Sequence, residues 1–225
     1  MQSLNESSVT QADKTFLSLR TAIVEGEIAA GSKLSEAELS TSYQVSRAVV
    51  REALNRLETC YLIERRANVG ARVVSLSEQG LIALYQVRES LEGMAARLAA
   101  TNMSEQDIAG LQELLSQHQT TVENTATYYQ EAGDVDFHYR IILGSANPQL
   151  IAVLTNGLYH LVRMYRVQLG MAGPRVSTAH HEHQHIVQAI ANRDPELAEM
   201  LMRRHIQYSG ANIQSKLVVQ LSQKS

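Results

Sequence analysis

Eight histidines stand in this chain, and five of them (His180, His181, His183, His185 and His205) are crowded enough to suggest metal ligation. Imidazole is the commonest side-chain ligand for a transition metal. Helical geometry thins the set. At about 100° per residue, Val176, Ala179, Ile186, Val187 and Ile190 define the apolar direction of a helix around residue 180, and His183 falls near the middle of that face. His181 and His185 point the other way, and His180 lies at an edge. The same geometry turns His205 inward with Ala198, Leu201 and Met202, and places Ser209 and Asn212 on its side. Asp134 and His138, four residues apart, share one face of another helix and present a carboxylate and an imidazole together. Two readings stand at this level: a hydrogen-bonded histidine core, or the ligand set of one ion.

Arg88 is the second group that could do chemistry. It sits in an apolar stripe made by Leu81, Leu84, Leu91, Ala95 and Ala99, where a guanidinium must be paired. Glu92, one turn on, is one partner; an anionic effector gripped by the two-pronged guanidinium is the other. Tyr85, Arg163 and Asn212 are further effector-pocket candidates.

A third constellation lies nearer the N-terminus. Ser35, followed by Glu38, has the spacing of a capping box, and the helix it opens carries Leu39 and runs out near Gln44. After the short turn at Val45, Ser46 caps a second helix, with Arg47 and Arg51 one turn apart and Val50, Leu54 and Leu57 on the opposite side. Residues 62–66 and 71–74 read as two strands joined by a tip containing Asn68 and Gly70. Helix, turn, helix and wing in that order read nucleic acid: arginines reach guanine edges, and the helix N-terminus favours phosphate. The predicted DNA contacts are Ser46, Arg47, Arg51, Asn68 and Gly70. The competing reading is a helical hairpin with a solvated arginine face.

Length and charge agree with a reader joined to something else. The chain has 225 residues and a net charge of −3. Residues 46–72 hold six Arg against three Glu, whereas residues 77–225 hold 11 Lys and Arg against 14 Asp and Glu. A basic segment beside an acidic remainder suits a DNA-binding domain at 1–76 and a second domain at 77–225, with Ser77 capping the first helix of the latter. Past this boundary apolar residues recur at three and four, and helices are expected around residues 81–98 and 108–115, then over 128–143, 149–169, 175–191 and 195–217. Asp194 and Pro195 give the last a clean start. The expected fold is mainly α, a winged helix-turn-helix followed by an antiparallel bundle of about six helices. The single Cys60 excludes an internal disulfide framework. No apolar run approaches the ~18 residues of a membrane span, and the expected compartment is the cytoplasm.

The N-terminal segment resembles the GntR family of bacterial transcription regulators, through Gly31, Leu34, Glu38, Leu39, Val45, Ser46-Arg47, Val50-Arg51-Glu52-Ala53-Leu54, Leu57, Leu62 and Gly70. It departs from the family's habit at Ala30, where Pro is usual, at Ala37, where some members place Arg, and at Tyr61, where Gly is usual. The C-terminal part, through Asp134, Phe137-His138, Asn147-Pro148, Leu150, Glu182-His183, Ile186, Ala189-Ile190, Met202 and His205, resembles the all-helical FCD ligand-binding domain of the FadR-type, VanR-like members. The resemblance implies a divalent metal on Asp134, His138, His183 and His205. Zinc is the expected ion, and nickel, manganese and iron suit three nitrogens and one oxygen as well. It further implies a small organic acid beside the metal and near Arg88, double-stranded operator DNA as partner, a homodimer, and repression. The alternative function is a metal-dependent hydrolase or lyase with an appended winged domain.

Overall fold

The computed structural model describes residues 10–66, 70–125, 137–169 and 175–222. They divide into two compact units: Met1–Leu76 with Tyr159–Met164, and Ser77–Leu158 with Tyr165–Ser225.

The first unit opens with a helix not anticipated above, α1 (Gln11–Val24). The reciprocal capping box is here: the Thr10 hydroxyl accepts from Asp13 N–H, and the Asp13 carboxylate accepts from Thr10 N–H. Asp13 also accepts from Arg56 at 2.7 Å, and Arg56 lies 4.1 Å over the Phe16 ring, which ties α1 to the later helix. A short strand β1 (Lys33–Leu34) precedes α2 (Glu36–Ser42), capped by Ser35, and α3 (Arg47–Thr59), capped by Ser46. Gln44 turns between α2 and α3 at φ 52°, the left-handed region that lets so short a turn redirect the chain. Val50, Ala53, Leu54 and Leu57 are buried on α3, and with Leu19, Ile23 and Leu62 they form the core of this unit.

The wing has three strands rather than the two expected. β2 (Ile63–Arg66) and β3 (Gly70–Val73) pair antiparallel from Ile63↔Val73 to Arg66↔Gly70, and β1 pairs with the other edge of β3, Lys33 opposite Arg72. Two residues are too few to show strand alternation, so β1 exists only because β3 offers it a free edge. Gly70 at φ 87° closes the ladder at the tip, and Tyr61 enters the hairpin at φ 58°. A side chain in that region costs roughly 1–2 kcal/mol, and Tyr61 is 56% exposed and recovers little of it by packing.

The second unit is helical. α4 (Glu78–Asn102), capped by Ser77, is buried along Leu81, Leu84, Tyr85, Arg88, Glu92 and Ala95. α5 (Glu105–Thr125) and α6 (Phe137–Gly144) follow. The helix expected over 149–169 is one helical run with a defect: α7 (Pro148–Val153), a π turn at Leu154–Leu158, and α8 (Tyr159–Leu169), of which Tyr159–Met164 counts with the first unit. A π turn inserts a residue without breaking the helix, and three-and-four periodicity does not reveal it. α9 (Arg175–Ala191) and α10 (Pro195–Ser222) complete the unit. α10 runs along α4 and α9, and α9 also packs on α5. Close approach of α10 to α4 requires Gly210, where a Cβ would stand 2.7 Å from Tyr85 Cδ1. Among the described residues no helix is long and apolar enough to cross a membrane.

Tyr61→Gly should raise the stability of the winged unit, because relief of the left-handed strain exceeds the roughly 0.5–1 kcal/mol that glycine's chain entropy costs. A melting temperature at or below the parent's in thermal denaturation would show that Tyr61 is unstrained.

Candidate metal centre and nucleic-acid interface

Three imidazoles meet inside the helical unit. His138 comes from α6, His183 from α9 and His205 from α10, each at most 3% exposed. One ring nitrogen of each lies within 4.8 Å of the others, and the Nε2 atoms of His183 and His205 are 3.2 Å apart. Phe137 stacks on His183 with centroids 4.0 Å apart and the planes inclined by 21°, which fixes that ring. Two carboxylates orient the other rings: Glu92 Oε2 lies 2.6 Å from His138 Nδ1, and Glu182 Oε2 lies 2.8 Å from His205 Nδ1. A carboxylate there favours the proton on Nδ1 and leaves the Nε2 lone pair for an ion.

Each carboxylate is held from behind by an arginine. Arg88 pairs with Glu92 and both are buried; Arg175 reaches Glu182 through two bonds of 2.8 and 2.5 Å. Burial pushes the Glu92 carboxyl up, but Arg88 and His138 together outweigh it and hold the group well below its usual range. Burial likewise pushes Glu182 up, and hydrogen bonds from His205 and Arg175 bring it down. Burial, with the neighbouring imidazoles, drives His183 well below 6.5 and His205 to about 3. His205 is therefore neutral near pH 7, so the charge that keeps Glu182 ionised is Arg175's. Neutral imidazoles with oriented lone pairs are the form that ligates a divalent ion, and the donor set fits one. The predicted carboxylate ligand, Asp134, lies outside the described residues.

Of the remaining histidines, His181 and His185 are exposed as expected, whereas His180 is buried rather than at an edge. Tyr85, Arg88 and Asn212 line a pocket beside the cluster with about 550 Å³ of empty space, its open mouth included. Arg163 does not. It belongs to the first unit and pairs with Glu25 at 3.1 Å. Arg166, most of a turn further along α8, lines the pocket in its place, and Arg175 and Ser209 do so too. Arg175 could have been found from its distance to Glu182, seven residues or two turns on one face.

In the winged unit Arg47 is exposed, and Ser46 is spent on its cap, accepting from Val49 N–H at 3.3 Å. Arg51 is exposed yet engaged, donating to both oxygens of Glu36 at 3.2 and 2.8 Å. A surface pair of this kind contributes little to stability, so Glu36 can be displaced from Arg51 at small cost. Among the described residues nothing lies within 4 Å of where a Cβ on Gly70 would stand. Asn68 lies outside the described residues.

A capped helix-turn-helix with a wing, joined to a helical unit, defines a DNA-binding transcription regulator. The chain belongs to the GntR family of bacterial regulatory proteins, whose sequence pattern matches residues 11–73, and carries an FCD domain over residues 83–208. It is 32% identical over 177 residues to the Nta operon transcriptional regulator of Aminobacter aminovorans, covering 79% of this chain and 82% of that one. It is 28% identical to the "Probable D-xylose utilization operon transcriptional repressor" of Paenarthrobacter nicotinovorans, covering 90% and 88%. Among solved structures, E. coli McbR/YncC superposes with a TM-score of 0.73 at 22% identity, covering 93% of this chain and 99% of that one, a likeness of fold. Family and relatives are regulators, which sets aside the hydrolase or lyase alternative. Among the described residues, moreover, Glu92 and Glu182, the acids beside the imidazoles, are each committed to an arginine and a histidine.

The donor set predicts that His138→Ala, His183→Ala and His205→Ala each lower bound metal and the melting temperature, while His181→Ala and His185→Ala change neither. Glu92→Gln should weaken metal affinity about 10- to 100-fold by freeing the His138 ring. Elemental analysis of untagged protein and melting with and without chelator measure this; equal metal in all variants would show a histidine core that takes no ion.

Proposed function

We propose that this chain is a repressor whose hold on operator DNA is relieved by a small carboxylate bound beside a divalent ion in the helical domain. Residues 1–76 are the reader and residues 77–225 the sensor, two copies bind two-fold related half-sites, and the place of action is the cytoplasm. The observation that carries this reading is the buried three-histidine cluster opening onto a pocket that Arg88 also lines. An ion bound there supplies a Lewis-acidic cation for a carboxylate. Asp134 is the proposed fourth ligand and zinc the proposed ion. Repression is supported by the relative named as a repressor, and a metabolite signal by relatives named for an operon or regulon, among them the Exu regulon transcriptional regulator of Escherichia coli, 26% identical over 207 residues.

The reader is assigned Arg47 and Arg51 for base edges, Ser46 for the N-terminus of α3, and Asn68 and Gly70 for the backbone. Arg51→Ala should cost ~1–3 kcal/mol on the operator and leave weak, salt-dependent binding to random DNA in place. Fluorescence anisotropy on both DNAs decides the point: equal losses would reduce Arg51 to a phosphate contact.

For the sensor, a thermal-shift screen of central-metabolism acids followed by operator-binding assays is the test. An acid that stabilises the parent should release it from the operator, and Arg88→Ala should abolish release while leaving operator affinity without acid nearly unchanged. Arg88→Lys, which keeps the charge but not the fork, separates loss of grip from loss of Glu92's partner. If only neutral sugars, amines or fatty acyl thioesters shift the protein, the carboxylate assignment is wrong.

A further inference from the structure

The polar groups lining the pocket fall into two classes. The charged ones are engaged: Glu92 takes Arg88 and His138, Glu182 takes Arg175 and His205, and Arg166 has an interaction of its own. So are the imidazoles, but the hydroxyl and amide groups are not. Tyr85 is 7% exposed, and among the described residues its buried hydroxyl oxygen has no hydrogen-bond partner. The side chains of Ser209 and Asn212 also line the pocket, and among the described residues neither hydrogen-bonds another protein group.

These neutral groups have a definite arrangement. His205, Ser209 and Asn212 follow one another at four and three residues on α10, on one face of the helix. Ser209 therefore stands about 6 Å, and Asn212 about 10 Å, further along the axis than His205, with side chains leaning back toward it. Tyr85 approaches from α4. Its ring lies against the bare backbone at Gly210 and is covered by the Arg88 guanidinium 5.2 Å away, so its position is held. A ligand with its acidic end at the histidines passes this wall with the rest of its chain.

We propose that Tyr85, Ser209 and Asn212 form a subsite for the hydroxyl groups of a polyhydroxylated acid of about four to six carbons. The proposal rests on the reading of the pocket as an effector site and names the class of acid. A plain dicarboxylate or an alkyl acid leaves the three groups unanswered, and a site built to hydrogen-bond a hydroxyl rejects the analogue that lacks it far more strongly than an apolar pocket does.

Calorimetric titration of the full-length, metal-loaded protein with matched acids tests this: D-gluconate against hexanoate, and L-threonate against butyrate. The hydroxylated member of at least one pair should bind ten times or more tightly than its partner. Tyr85→Phe and Ser209→Ala should each shrink that preference at least threefold, with the deoxy acid's affinity unchanged within twofold. Metal content equal to the parent's reports that each variant is folded. Deoxy acids that bind as tightly as the hydroxylated ones, or a preference that survives both substitutions, would overturn the subsite and leave the carboxylate reading standing. Binding of none of the four acids would overturn that reading and the subsite with it.

Discussion

The helical domain is organised around two carboxylates that must not be left alone. Glu92 and Glu182 each hold an arginine and an imidazole, so that Arg88–Glu92–His138 and Arg175–Glu182–His205 converge on the same small volume beside His183. An ionised carboxylate away from water is tolerated only when its oxygens are satisfied; removing one partner of a buried pair such as Arg88–Glu92 typically costs about 3–5 kcal/mol, and the half-buried Arg175–Glu182 pair less. Each chain thus ties helices together: the first joins α4 to α6, the second joins α9 to α10. The same bonds aim imidazole lone pairs at one point, so the groups that stabilise the packing also preorganise the donor set.

Close packing of α4 and α10 is the second requirement. Gly210 accepts the Tyr85 ring, and at Gly93 a Cβ would stand 2.6 Å from the Arg203 side chain. With Ala95, Ala96 and Ala99 fully buried, α4 presents small residues where its neighbours come near and larger ones beside the pocket. A helix–helix contact of this kind forgives little. Its closeness holds the Tyr85 side chain beside the pocket, where among the described residues its hydroxyl has no hydrogen-bond partner.

In the winged domain the arrangement is lighter, because its functional face must stay wet. Side-chain caps at Thr10, Ser35 and Ser46 define the helix starts, and the polar pairs that join its elements, Asp13 with Arg56 and Glu36 with Arg51, lie at or near the surface. Such pairs contribute little stability and position a great deal. Glu36 holds the Arg51 guanidinium in a two-pronged pair at the surface, where the proposed base contact would need it.

The sequence by itself determined what depends on neighbours along the chain. Ser46 and Ser77 announced the helix starts they make, the apolar faces of α3 and α4 were legible from three-and-four spacing, and the inward directions of His183 and His205 followed from the rotation of a single helix. What depends on a second element was hidden. β1 is a strand only beside β3, Arg51 meets Glu36 across 15 residues, and Arg175 enters the pocket where Arg163 turns to Glu25 instead. His180, at an edge by its own helix's reckoning, is buried. Periodicity fixes where a side chain points relative to its helix axis, but its partner is decided by how the axes pack, and that is a property of the tertiary structure alone.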